Sequence, residues 1–220
     1  MRYHEITALD EGVHDPHIFK AVFMAGGPGS GKSTVGRLLF SATGLRLIDL
    51  DRFEALARSH GATIDYNDPR SYEPFWRLAQ QQKRNYLAGR LGLLIDGTGK
   101  SFDSIRIQKE MLQQLGYDTA MIFVNTNLET AQQRVIDRAR TQGRLVPPER
   151  VSHSWYAAQN NLGQFQSEFA PNFFIVDNSG AQPEIESAEK WIRRFLDTPP
   201  RSPAARAWIQ QQERPTHESQ

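Results

Sequence analysis

Gly26-Gly27-Pro28-Gly29-Ser30-Gly31-Lys32-Ser33 satisfies the spacing G-x-x-x-x-G-K-[ST], directly after a short apolar run and directly before a helical pattern. Glycines at these positions let successive backbone N–H groups curl around phosphate oxygens. The first turn of the following helix adds unpaired donors and a positive dipole end. With that geometry Lys32 reaches the β and γ phosphates of ATP and the Ser33 hydroxyl ligates Mg²⁺. Thr34, one position into the helix, either contacts the α phosphate or faces solvent.

Phosphate binding is not yet a reaction. Leu93-Leu94-Ile95-Asp96-Gly97 ends in an acidic residue, but no glutamate adjoins Asp96 to position a hydrolytic water, which disfavours motor-type ATPases. No Asn-Lys-x-Asp run occurs, which disfavours a signalling GTPase. Phosphoryl transfer to a bound acceptor remains, and it needs a carboxylate to take the hydroxyl proton and cations to neutralise the transferring group. Asp49 and Asp51 close the second apolar run, at the strand end where open α/β sheets bind ligands. Asp51 is the better candidate base, whereas Asp49 serves equally well as a helix cap. The cations come from Arg134, Arg138, Arg140 and Arg144. Arg134 and Arg138 share a helix face, and Arg144 rides a glycine-proline loop able to close as a lid. Arg134 and Arg144 are the favoured transition-state stabilisers; for Arg138 and Arg140 a solvated basic face is an equal account.

Short apolar runs alternate with helical periodicity along the chain. Strands are expected at 19–25, 46–50, 93–96, 120–124 and 173–176. Helices are expected at 31–41, 52–59, 75–91, 104–115, 128–140, 149–165 and 185–196, with an irregular stretch over 60–74. This is the pattern of βαβ units and predicts an α/β fold, a five-stranded parallel sheet with helices on both faces. The predicted organisation is a lead-in over 1–17, one domain over 18–197, and a flexible polar tail over 198–220 in which Trp208 and Ile209 are the residues able to dock.

With 220 residues, no cysteine and a formal charge of +1, the chain is large enough for a real core and has no thiol chemistry. No apolar run spans a bilayer and the first residues lack a signal-peptide stretch, so the expected location is cytoplasmic, with no membrane partner. Arginine heavily outnumbers lysine, which suits bidentate phosphate contacts but settles nothing about nucleic acid. The histidines are scattered without metal-ligand spacing.

Three motifs in order resemble the zeta-toxin family of phosphate-loop kinases, related to polynucleotide kinases: the run at 26–33, Leu47-Ile48-Asp49-Leu50-Asp51-Arg52-Phe53, and Leu94-Ile95-Asp96-Gly97-Thr98-Gly99-Lys100. The likeness continues through Met111-Leu112-Gln113 and Leu115-Gly116-Tyr117 and runs loosely to Asn178. It implies a P-loop kinase fold, Asp51 as general base, Lys32 on the phosphates, Arg144 as a lid arginine and Arg134 as the other. It also implies an acceptor pocket lined by Asp96, Thr98 and Lys100, and a loop at Asn178-Ser179-Gly180 passing near the adenine. Asp96 stands where the family commonly has glutamate, and Lys100 where it has arginine, which points to a different acceptor.

Zeta toxins phosphorylate UDP-activated amino sugars. A stand-alone domain of this size resembles bacteriophage kinases, some of which phosphorylate 5-hydroxymethyluracil in DNA. That hydroxymethyl group projects into the major groove, so the enzyme must approach the groove or extrude the base. Arg52, Arg58, Arg70, Arg77, Lys83 and Arg84, interleaved with Tyr66, Tyr72, Phe75 and Trp76, suit backbone contact and base stacking, although an amphipathic helix with core aromatics has the same pattern. Hydroxymethylated DNA is therefore the preferred expected acceptor, with a nucleotide sugar such as UDP-N-acetylglucosamine or a polynucleotide 5′-hydroxyl as alternatives. A nucleotide-gated binding module is the reading from a different class.

Overall fold

The computed structural model describes residues 14–48, 59–61, 68–142, 147–180 and 182–213. Five strands form one parallel sheet: β1 (Lys20–Ala25), β2 (Arg46–Ile48), β3 (Leu93–Asp96), β4 (Asp118–Asn125) and β5 (Phe173–Asp177), in the order β2-β3-β1-β4-β5. The helices between and after them are α1 (Lys32–Phe40), α2 (Pro69–Ala88), α3 (Phe102–Gln114), α4 (Leu128–Gln142), α5 (Pro148–Phe169), α6 (Glu186–Asp197) and α7 (Pro203–Gln212).

Alternation along the strands divides the core in two, because successive side chains of a strand leave the sheet on opposite faces. Ala21, Phe23 and Ala25 of β1 join Leu93, Ile95, Met121 and Phe123 on one face, under Leu112 of α3 and Ala158, Phe165 and Phe169 of α5. Val22 and Met24 join Leu94, Ile122 and Val124 on the other, under Val35 and Leu39 of α1 and Ile192 and Phe195 of α6. Both faces of β1 and β4 are thus buried, which is why these segments are continuous apolar runs. The expected parallel fold with helices on both faces is what forms.

Two segments differ from expectation. The stretch 60–74 was expected to be irregular, yet α2 begins at Pro69. Asp68 supplies the reason: its carboxylate accepts from the Arg70 amide at 3.1 Å, and Pro69 at the first helical position has its φ already set. Pro74 falls in the second turn, where it forfeits one helical hydrogen bond rather than ending the helix. The second correction is at the far end, where 203–212 is helix α7 and not a flexible tail. Ser202 caps it through the Ala205 amide, Ala205 is buried beside Gly116, and the Trp208 ring meets Phe19 edge-on at 5.5 Å. Residues 52–58 of the helix predicted over 52–59, and residues 49–50 of the second predicted strand, lie outside the described residues.

Candidate active site

β1 ends at Ala25 in the middle of the sheet, and the chain turns through Gly26–Gly31 into α1. Gly31 is the N-cap of α1 with φ +89°, a left-handed conformation that glycine tolerates, and it offers no side-chain oxygen to the first turn. The loop closes on itself through Ser30 N–H to the Gly27 carbonyl at 3.1 Å. Lys32 folds its ammonium back over the loop, donating to the carbonyls of Gly26 at 2.7 Å and Gly27 at 3.3 Å. Ser33 and Thr34 are exposed in the first turn, and the Ser33 hydroxyl takes no hydrogen bond among the described residues.

Three neighbours brace this loop. Asn178, just past β5 and 4% exposed, donates its side-chain amide to the Ser30 carbonyl at 2.7 Å. Arg134 of α4 donates to the carbonyls of Asn178 at 2.9 Å and Gly180 at 3.1 Å, so the predicted phosphate cation is tied to the loop after β5. Its partners are neutral carbonyls, and among the described residues no carboxylate pairs with it. Trp155 of α5 donates its indole N–H to the Thr126 carbonyl at 2.9 Å and packs against Gly27. Thr126 in turn donates its hydroxyl to the Asn178 carbonyl at 3.2 Å, completing a chain of contacts from α5 to β5.

Beside the loop, the segment after β3 and one face of α5 enclose an open, polar cleft of about 680 Å³. Thr98, Lys100 and Ser101 line one wall, Asp103 the start of α3, and Asn161 and Gln164 the other wall. Asn161 donates to the carbonyls of both Gly99 and Lys100 at 3.0 Å, which fixes the wall that carries Thr98 and Lys100. Asp96, half-buried at the end of β3, does not line this cleft. Of the three predicted acceptor residues, two are therefore brought together. Asn161, Trp155 and the bracing role of Asn178 were not singled out from sequence; their partners lie from 29 to 148 residues away, beyond local pattern.

Asp49, Asp51, Arg52, Arg58, Tyr66 and Arg144 lie outside the described residues. On α2 the predicted basic surface is partly neutralised, since Arg70 pairs with Asp68 at 3.0 Å and Arg77 with Glu73 at 2.7 Å. Among the described residues Arg84 bonds only the neutral Gln81 side chain; Trp76 is 49% exposed, and burial lowers the pKa of Lys83. Among the described residues no helix is long and apolar enough to cross a membrane.

The sheet order, the phosphate loop on the central strand and its cation-bearing flanks define a P-loop kinase fold. The zeta toxin family profile matches residues 7–185, and the chain belongs to that family of phosphate-loop kinases. It is 28% identical over 114 residues to a shikimate kinase of Persephonella marina (strain DSM 14350 / EX-H1), covering 51% of this chain and 65% of that one. The chain thus spans just under two thirds of the length of this curated relative. Two solved structures share the fold. The Pnkp1/Rnl/Hen1 RNA repair complex matches with TM-score 0.56 and 21% identity, over 69% of this chain and 47% of that one. The AvrRxo1-ORF1:-ORF2 structure with ATP matches with TM-score 0.57 and 14% identity, over 84% and 69%.

Proposed function

We propose that the protein transfers the γ phosphate of ATP to a hydroxyl group of an acceptor held in the cleft beside the phosphate loop. The observation that carries this reading is the adjacency of two preformed sites: a loop braced around Lys32, and a polar cleft walled by Thr98, Lys100 and Asn161. Lys32 and Arg134 supply positive charge where the transferring phosphoryl group accumulates negative charge, with Arg144 as the further cation that the family resemblance implies. Asp51, the general base that the family resemblance implies, takes the proton from the acceptor hydroxyl as its oxygen attacks phosphorus and ADP leaves.

Mg²⁺ fits the residues present. The exposed Ser33 hydroxyl, a hard oxygen donor with no hydrogen-bond partner among the described residues, would hold it at the first turn of α1. Bound there with ATP, the ion would neutralise phosphate charge.

For the acceptor we favour 5-hydroxymethyluracil in DNA. The supporting features are the exposed Trp76, suited to stacking on a base, and Arg84, which pairs with no carboxylate among the described residues. The second reading is UDP-N-acetylglucosamine, favoured by family membership and by a cleft whose volume suits one nucleotide-sized molecule. A polynucleotide 5′-hydroxyl is the third. The test follows labelled γ phosphate from ATP onto DNA containing 5-hydroxymethyluracil, unmodified DNA with a free 5′-hydroxyl, and UDP-N-acetylglucosamine, with Asp51→Asn as control. Label on the hydroxymethylated DNA alone, lost in the variant, is the expected result. Label on the sugar alone overturns the DNA reading. Transfer to no acceptor, with ATP still bound, overturns the kinase reading in favour of a nucleotide-gated binding module.

A further inference from the structure

We propose that Asn178 is a positioning residue for ATP, setting the shape of the phosphate loop through the Ser30 carbonyl. Its side chain is 4% exposed and reaches back 148 residues to make one bond, Nδ2–H to Ser30 O at 2.7 Å. Its backbone is fixed independently: its N–H donates to the Asn125 carbonyl at 2.9 Å, and its own carbonyl accepts from Thr126 and Arg134. A rigid base therefore carries a single directed donor into the underside of the loop.

The consequence follows from peptide planarity. The Ser30 carbonyl and the Gly31 N–H belong to one trans peptide and point in opposite directions. Drawing that carbonyl toward Asn178 turns the Gly31 N–H away from Asn178, and an amide so fixed costs no reorganisation when an anion arrives. Gly31 is matched to the same contact. A Cβ there would collide with Asn178 Nδ2, and φ +89° disfavours any side chain. The glycine of the phosphate-binding spacing and the asparagine after β5 are thus two halves of one device.

This inference rests on ATP binding at the loop, and the experiment separates the two. Binding of ATP with Mg²⁺ is measured calorimetrically on the full chain as wild type, Lys32→Ala, Asn178→Asp and Asn178→Ser, with thermal melts of each protein without nucleotide. Asn178→Asp keeps the shape but sets a carboxylate against a carbonyl, so ATP affinity falls about tenfold at pH 8. As pH drops toward 5 the carboxyl gains a proton, donates to Ser30 O, and affinity recovers; burial and the facing Ser30 carbonyl raise its pKa toward that range, against the neighbouring Arg134 guanidinium, which lowers it. Wild type has no such recovery, and a purely structural role predicts none. Asn178→Ser, too short to reach Ser30, loses affinity at every pH while its melt stays near wild type, which keeps the test decisive if the Asp variant does not fold. In a transfer assay the KM for ATP rises and the KM for acceptor does not. Wild-type ATP affinity in Asn178→Ser, or in folded Asn178→Asp across the pH range, overturns the proposal and leaves the kinase reading intact. Wild-type protein that binds no ATP overturns both.

Discussion

Trp155 lies against Gly27 so closely that a Cβ on the glycine would stand 3.0 Å from the Trp155 Cα and 3.1 Å from its Cδ1. The second position of the phosphate loop is therefore shaped by a helix more than a hundred residues downstream. Gly27→Ala forces either the loop or α5 to move, and overpacking of this kind costs about 1–3 kcal/mol. The expected outcome is a lower melting temperature together with weaker ATP binding. Trp155→Ala removes the ring but also frees the Thr126 carbonyl, so it is destabilising by itself. In the double variant the two losses add to less than their sum, a coupling that a double-mutant cycle on urea denaturation reads directly.

Lys20 and Asp118 open β1 and β4, are partners in the strand register, and form an ion pair at 2.9 Å with side chains 2% and 11% exposed. Burial lowers the Lys20 pKa, and the bond to Asp118 opposes that shift. Asp118→Asn leaves a buried ammonium without its counter-charge and is expected to destabilise by about 3–5 kcal/mol. Lys20→Met combined with Asp118→Leu removes both charges and is expected to recover much of that loss. Denaturant midpoints of the single and double variants check both statements.

Tyr117, next to this pair, is buried and donates its hydroxyl to the Leu91 carbonyl at 3.1 Å. Burial holds its pKa well above the ordinary 10.0. Above that value the unfolded chain releases the proton while the folded chain keeps it, so the phenol's contribution is complete below pH 10 and is lost as pH rises further. Lys20 acts in the opposite sense, adding stability as pH rises toward 10.5. The advantage of wild type over Tyr117→Phe is expected to be about 1 kcal/mol at pH 8 and to shrink beyond pH 10. Urea unfolding of both proteins at pH 8, 9.5 and 10.5 measures it.

How much of this was legible in sequence depends on how far each signal reaches. The phosphate loop and all five strands were readable because glycine spacing and apolar runs are local. Pro69 and Pro74 misled over the start of α2: Pro69 sits at the first helical position, where no N–H is needed, and the single bond that Pro74 forfeits does not end a helix capped by Asp68. The tail misled because its composition is polar overall, while helix α7 needs only Ala205, Trp208 and Ile209 on one face to dock. Arg134 was expected as a cation of the site, and its attachment to the Asn178 and Gly180 carbonyls is a tertiary fact. Asn161 carries no local signature: an asparagine on a helix becomes informative only when two carbonyls of a distant loop converge on it.

The strand order has a consequence for how the protein comes into being. β1 is synthesised before both its neighbours, β3 and β4, and its first residue waits for a partner 98 positions on. A parallel sheet of this kind folds late, because distant segments must meet before any pairing rewards the chain. The segment encoding the phosphate loop thus leaves the ribosome long before anything exists to shape it, and its last brace arrives 148 residues after Ser30. A nascent chain short of β5 carries the complete nucleotide-binding motif without the Asn178 bond to Ser30. The motif is therefore complete in sequence long before the contact from Asn178 can hold it in three dimensions.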